Sequence, residues 1–427
     1  MVAAATAVDN GATVIVLEKM VMLGGNTARS EGNMSAMDPE PEKLLPMTQA
    51  VRDIIAKYTN PKPSFRRRFS SSSQSGKKYI FDSPELFALQ TIVGGNCKND
   101  AKLVLTMTRN ATAAMKWLDV QSDMTWFHVP RSWVDVGIGG LYPRGQWPCQ
   151  ADGKTPISTY DAYIRPLAAK VEAAGNPIYK NMKVVSVERD ASGRVTGVKA
   201  LDRKGVERVF SGRSVVLAAG GYGANLQMVK KYNDISVTVT SNSPATTGEV
   251  LEEAVAARPS DTPYVNCDGL RFVDETGRRD EISYGILKQT GQVAFSIYDQ
   301  RTIEEKKIES AIAHGYAFKA DTLEDLARQA GIDWKNFEKT MKAYNEASVS
   351  QNTKSLPVPK ILIGNPVVKA PFYAVPITTT IHHTMGGLRI NEKTQILDKN
   401  GNVIPGLYAA CETRAASTAA IASAATP

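Results

Sequence analysis

Cysteine and histidine are scarce in this chain of 427 residues, with four of each. Cys97, Cys149, Cys267 and Cys411 stand far apart, with no CxxC, no CxxCH and no close Cys/His cluster. That argues against a zinc site, a c-type haem and a dense disulfide framework, and no metal is expected. Long hydrophobic runs are lacking too: no stretch of about 18 apolar residues occurs, so no transmembrane segment is expected. The opening MVAAATAVDNGATVIV lacks the charged start and long apolar core of a signal peptide. Nothing exports the chain as written, and it reads as cytoplasmic only in that sense; localisation and redox compartment both stay open. A large excess of one charge sign is absent as well. Lys and Arg number 51 against 43 Asp and Glu, and a net +8 suits anionic ligands but is too diffuse for a nucleic-acid surface.

What is present is an ordinary globular composition, with 43% hydrophobic residues, 32 Gly and 22 Pro. At about 150 residues per domain the length predicts two or three domains. Residues 2–10, VAAATAVDN, read as a helix, with Gly11 placed to take the left-handed position past its end. The β-branched run TVIVLEK (13–19) reads as a buried strand ending in Glu18. Helix, glycine, strand and terminal acid form the second half of a dinucleotide-binding βαβ unit, where the acid accepts hydrogen bonds from ribose hydroxyls. The first half, a strand followed by G-x-G-x-x-G, would fall before Met1. The fold class this predicts is α/β, Rossmann-like, with an incomplete first βαβ unit. Gly24-Gly25-Asn26-Thr27, followed by ARSEGNMSA (28–36), lets backbone approach a ligand closely. The same four residues also read as a plain glycine turn with a threonine cap.

Four motifs then follow in order: LEK-x4-GGNT (17–27), VVLAAGGYGAN (215–225), HHTMGGLRI (382–390) and GLYAACE (406–412). Together they resemble the FAD-binding flavoprotein domain of the soluble fumarate reductases. These belong to the succinate dehydrogenase/fumarate reductase group, with flavocytochrome c and urocanate reductase. The resemblance runs along most of the chain. It implies FAD as the cofactor and a Rossmann-like FAD-binding domain carrying an inserted α+β capping domain. The expected boundaries are 1–249 for the first part of the FAD-binding domain, 250–368 for the capping domain and 369–427 for the returning part.

Within this frame SPELFALQTIV (83–93) and NDAKLVLTMTRNATAAMKWL (99–118) are predicted helices. The serine-rich, basic stretch 61–78 between this region and the N-terminal unit reads as a surface loop. A helix is predicted over 156–174. KVVSVERDASGRVTGVKAL (183–201) reads as two strands joined by a turn at Asp190–Gly193, and VVLAAGG returns the chain to the nucleotide sheet. Farther on, RF-x-x-E (271–275) and VAFSIYD (293–299) are strand-like, with helices at 322–331 and 333–347. A proline-rich linker, 356–371, then leads back to the FAD-binding domain at PFYAVPI.

The reaction the resemblance implies is reduction of a carbon–carbon double bond conjugated to a carboxylate. Hydride arrives from the flavin and a proton arrives on the other carbon. Arg279, in D-E-T-G-R-R-D, aligns with the family's proton-donating arginine, and its neighbour Arg278 leaves the register open by one. Taken alone, RRDE also reads as a solvated charge run. His382 matches the histidine that hydrogen-bonds the substrate carboxylate, and Thr384 and His383 face substrate or flavin. Glu18 and Lys19, Gly24, Gly25, Asn26 and Thr27, and Gly32 match cofactor contacts. So do Val184, Ala219 and Gly220, Thr247 and Gly248, and Glu412. The implied partners are a small unsaturated carboxylate and a separate electron-donor protein or reduced carrier, because no haem motif and no FMN-carrying domain are recognised.

The chain also departs from the family pattern. The family's T-G-D-G stands here as Thr247-Gly248-Glu249-Val250. After Ala257, a segment with a second substrate histidine and a Thr-Glu pair of the proton relay is expected to be missing. Past Glu412 the sequence lacks N-R-L-G-G-N-A with its clamp arginine, and Arg414 does not replace it. Cys411 stands where the family has glycine. Three readings stay open from the sequence: an FAD-dependent fumarate- or urocanate-type reductase, an inactive truncated relic of that family, and a ketosteroid-type flavin dehydrogenase. HHTMGG with Arg279 speaks against the last.

Overall fold

A computed structural model describes residues 1–30, 32–37, 82–95, 97, 99–128, 144–232, 240–243, 254–256, 262–277, 279–303, 308–360, 363–383 and 387–413. They divide into two compact units. One comprises Met1–Ala254 and resumes at Ile381; the other is Val255–Thr380. The loop predicted at 61–78 lies outside the described residues. Among the described residues no helix is long and apolar enough to cross a membrane, and no group of three or more His, Cys, Asp or Glu is placed to hold a metal.

In the first unit the helix Val2–Asp9 stops where the sequence puts its breaker, with Gly11 at φ +75°. Of the run 13–19 only Val16–Leu17 forms a ladder, parallel to Ile178–Tyr179. Its neighbours extend the pairing by single bonds: Val14 N–H to Asn176 Oδ1 at 2.7 Å and Glu18 N–H to the Tyr179 carbonyl at 2.8 Å. The predicted helix over 156–174 begins at Tyr160, with one π turn before Arg165–Ala173. The start is set by Ser158, whose hydroxyl accepts from Asp161 N–H. Ala5, Leu167 and Val171 seat the two helices in one core.

Helices Pro84–Gly94 and Ala101–Ser122 are capped by Ser83 and Asp100, whose side chains accept from the first-turn amides. The hairpin Lys183–Arg189/Val195–Leu201 turns on Asp190, which accepts from Ser192 and Arg194 N–H, and Glu207–Ser211 adds a third strand. Val215–Leu217 runs parallel to Val403–Ala409. The expectation that 215–221 rejoins the sheet of 13–19 needs correction. Among the described residues the two parallel ladders are separate, and Val16–Leu17 and Val215–Leu217 are both edge strands. The exposure of Ile15 and Val216 fits those edges.

The second unit is an antiparallel sheet in the order Tyr264–Val265, Ala294–Asp299, Phe372–Ile377, Phe318–Ala320. Helices Leu323–Ala330 and Trp334–Ser350 cover it over a core of Val265, Ile297, Leu326, Phe337 and Tyr344. Residues 369–380, assigned from sequence to the returning part, belong here. Phe372–Ile377 pairs with Ala294–Asp299 along its whole length, from Phe372↔Asp299 to Ile377↔Ala294. RF-x-x-E is likewise a turn: only Arg271 makes a bridge, to Val265. Glu275 instead dives into the unit's interior, and the helix Arg279–Leu287 follows.

Candidate functional site

Parallel strands deliver their carboxyl ends to one edge, and loops at such edges are where α/β sheets bind ligands. In the first unit Val215–Leu217 opens into Ala218-Ala219-Gly220 and Val403–Ala409 into Ala410-Cys411-Glu412-Thr413. The two loops are bonded to each other: Ala410 N–H donates to the Leu217 carbonyl at 2.9 Å, and the buried Thr413 hydroxyl to the Gly220 carbonyl at 3.3 Å. Gly220 needs its glycine, with φ +75°. Ala219 is exposed beside it, and Glu412 is half-buried.

Glu18 leaves the other ladder at the same kind of edge. Its Oε1 accepts from Met20 N–H at 2.8 Å and its carbonyl from Met182 N–H at 2.9 Å. That brings Lys19 and Met20 alongside 181–182, two residues ahead of Val184 in the strand Lys183–Arg189. Burial pushes the Met1 amino group below its ordinary value, while Cys411 and Glu18 lie near enough to act on it in the opposite sense.

The glycine loop joins them. Gly25 has φ +50° and an added Cβ there would meet nothing within 4 Å, so the backbone faces open space. Gly24, at φ +117°, is different: a Cβ would stand 2.7 Å from that of Ala28, in the middle of the turn Thr27–Arg29. Asn26 Nδ2 donates to Asn242 Oδ1 at 2.7 Å and to Glu412 Oε2 at 3.4 Å, and Asn26 Oδ1 accepts from Ser243 N–H at 2.7 Å. One carboxamide thus gathers segments 216 and 386 residues away. Gly32 plays another part. Its Cβ would lie 2.4 Å from Thr159 Cγ2, and its carbonyl accepts from the Tyr163 hydroxyl at 2.6 Å, so its smallness serves packing.

His382 and His383 end the strand Thr380–His383 in the first unit, where only their backbone is described. Arg279 is the first residue of the helix Arg279–Leu287 in the second unit, also described in backbone only. Thr247, Gly248 and Thr384 lie outside the described residues.

Sequence reasoning missed two clusters. Asn242 is one; its signal is Gly223, where a Cβ would fall 2.2 Å from Asn242 Nδ2. The other is a buried ion cluster ahead of Arg279. Glu275 accepts from Arg271 Nε and Nη2, both at 2.7 Å, and from Tyr264 N–H at 2.9 Å, and Lys360 Nζ lies 3.3 Å away. Burial raises the Glu275 carboxyl, but Lys360 and Arg271 outweigh it and hold the group below the usual carboxylate range. Burial lowers Lys360 from the ordinary lysine value, against the pull of Glu275. Asp274 Oδ1 then accepts from the Thr276 amide and hydroxyl, at 2.9 and 2.6 Å, fixing the turn that feeds the Arg279 helix.

A family model described as FAD binding domain matches residues 69–262 and 262–425. The NADH:acrylate oxidoreductase of Vibrio harveyi is 30% identical over 95% of this chain and 45% of its own length. The urocanate reductase of Eggerthella lenta is 28% identical over 96% and 67%. The chain therefore spans under half the length of the first of these relatives. Among solved structures, the open conformation of a flavocytochrome c3 fumarate reductase matches with a TM-score of 0.67 at 25% identity, covering 99% of this chain and 73% of that one.

Proposed function

From a chain that belongs to the FAD binding domain family, we propose an FAD-dependent oxidoreductase that reduces the carbon–carbon double bond of an unsaturated carboxylic acid of the fumarate, urocanate or acrylate class. The observation that carries this reading is the convergence of the 24–27 loop, Gly220 and Glu412 at the carboxyl edge of one parallel ladder, with Glu18 at the carboxyl end of the other. The donor set fits FAD. Glu18 supplies a carboxylate for ribose hydroxyls, and Gly25 presents open backbone at positive φ where a bulky flat ligand can approach. Glu412 supplies an acceptor for the ribityl chain, with Lys19, Thr27, Val184, Ala219, Thr247, Gly248 and His383 as further contacts. The first unit is then the Rossmann-like FAD-binding domain and the second its α+β cap.

When bound and reduced, FAD supplies a hydride to one alkene carbon. The remaining work falls to side chains of this chain. His382, with Thr384, donates hydrogen bonds to the substrate carboxylate, where negative charge collects as the double bond is lost. Arg279 gives a guanidinium proton to the second carbon, so hydride and proton together saturate the bond, and Arg279 regains a proton from solvent or a carboxyl group. The Glu275 cluster holds the turn from which the Arg279 helix starts. The two electrons come from a separate donor protein or a reduced carrier.

The test is to add FAD to the purified protein, follow the bound-flavin absorbance, reduce it anaerobically and offer fumarate, urocanate or acrylate. Rapid reoxidation by at least one of them is expected. Bound flavin that none of the three reoxidises faster than buffer overturns the reading.

A further inference from the structure

We propose that Asn242 is a positioning residue that ties the 24–27 loop to the strand bearing His382, so that occupancy of the cofactor site and the setting of His382 are linked. This rests on the reading of Asn26 as a cofactor contact and of His382 as a substrate contact.

The side chain of Asn242 is buried and its carboxamide is used from both ends. Oδ1 accepts from Asn26 Nδ2 at 2.7 Å; Nδ2 donates to the Ile381 carbonyl at 3.1 Å and to Thr240 Oγ1 at 2.9 Å. The orientation is not interchangeable. Turned over, the group would set an N–H against the N–H of Asn26 and an oxygen against the Ile381 carbonyl, losing both bonds. A fully satisfied buried amide of this kind specifies one arrangement.

Its far end lands on a heavily held atom. The Ile381 carbonyl also accepts from Ser241 N–H at 3.0 Å, with Ser241 Oγ 3.3 Å away. That carbonyl and the His382 N–H belong to one planar peptide unit, so fixing the first orients the second. The near end is clasped twice, because Ser243 N–H returns to Asn26 Oδ1 at 2.7 Å. Gly223 keeps the space open: a Cβ there would stand 2.2 Å from Asn242 Nδ2, and its own carbonyl accepts from Thr240 Oγ1 at 2.7 Å. Asn26, proposed on separate grounds as a ligand contact, and the peptide unit that leads into His382 thus stand at the two ends of one side chain.

Amide hydrogen exchange, read by mass spectrometry on peptides spanning 378–390 with and without FAD, tests the link. In the wild type FAD is expected to slow exchange of this strand by about tenfold. In Asn242→Ala, FAD still binds, within about tenfold of wild type, but the slowing drops below about twofold. Gly223→Ala, which displaces the carboxamide without removing it, is expected to do the same. Asn242→Asp keeps shape and the acceptor toward Asn26 but loses the donor to Ile381; it carries the comparison if the alanine variant does not fold. Under turnover with acrylate, KM rises about tenfold in these variants while kcat stays within about threefold. Slowing of wild-type size in Asn242→Ala, or FAD binding to the wild type without any slowing, overturns the link. A wild type that binds no FAD overturns the functional reading instead.

Discussion

Lys360 Nζ lies 3.3 Å from Glu275 Oε2, with both side chains fully buried. Because Arg271 shares the same carboxylate, one anion faces two cations inside the second unit. Removing one partner of a buried ionic group leaves uncompensated charge, which costs about 3–5 kcal/mol. Glu275→Gln is therefore expected to lose stability of that size in denaturant unfolding. The pH dependence has a definite sign. The Glu275 carboxyl is held below its ordinary value, so its contribution is complete above about pH 4.3 and is lost as pH falls through the lowered folded value. Lys360, lowered by burial, sheds its proton in the folded state first, so stability rises with pH toward about 10.4. In Glu275→Gln the acid limb is expected to flatten and the alkaline gain to steepen. An unchanged acid limb would show that Glu275 is not the group responsible.

Cys411 adopts φ +57° in the turn after Val403–Ala409, a left-handed conformation that costs an L side chain about 1–2 kcal/mol and glycine almost nothing. The side chain is exposed and its burial offsets little of that cost. Cys411→Gly is expected to raise stability by about 0.5–1 kcal/mol, the relief being reduced by the greater freedom of glycine in the unfolded chain. Since the same turn carries Glu412, proposed as a cofactor contact, FAD affinity is expected to hold or improve. Thermal unfolding and flavin titration of the two proteins check both statements, and a lower midpoint for the glycine variant would contradict the strain argument.

How much of this was legible beforehand depends on the range of the forces involved. The starts of these helices were, because caps are local: Ser83, Asp100, Thr322 and Asp333 each accept from an amide two or three residues on. The turn at Asp190 was legible for the same reason. The boundary at 380/381 was not, since PFYAVPI reads identically whichever sheet takes it up and only its pairing with Ala294–Asp299 decides. Glu275 looked like the end of a strand because no local pattern reveals that Lys360, far along the chain, waits in the core. In the site, glycine and acid motifs marked Glu18, Gly24, Gly25, Gly220 and Glu412. Asn242 carried no such mark: an asparagine in TSNSP is unremarkable until Asn26 and Ile381 are brought against it.

Arg279 and His382 carry different parts of the proposed reaction, and single variants separate them. Arg279→Ala removes the proton donor, so kcat for acrylate or fumarate is expected to fall by about 10²–10⁴, the usual worth of a positioned acid. His382→Ala removes a charge-assisted hydrogen bond to the substrate carboxylate, worth about 1.5–3 kcal/mol, so kcat/KM is expected to fall by about ten- to more than a hundredfold. Arg279 starts a helix in the second unit, and the cofactor contacts are assigned to the first. FAD titration of Arg279→Ala is therefore expected to overlay the wild type. Arg279→Lys keeps the charge but not the planar guanidinium, and it sorts an electrostatic role from proton donation. Full turnover in the lysine variant would assign Arg279 to charge stabilisation, and full turnover in the alanine variant would remove it from the reaction.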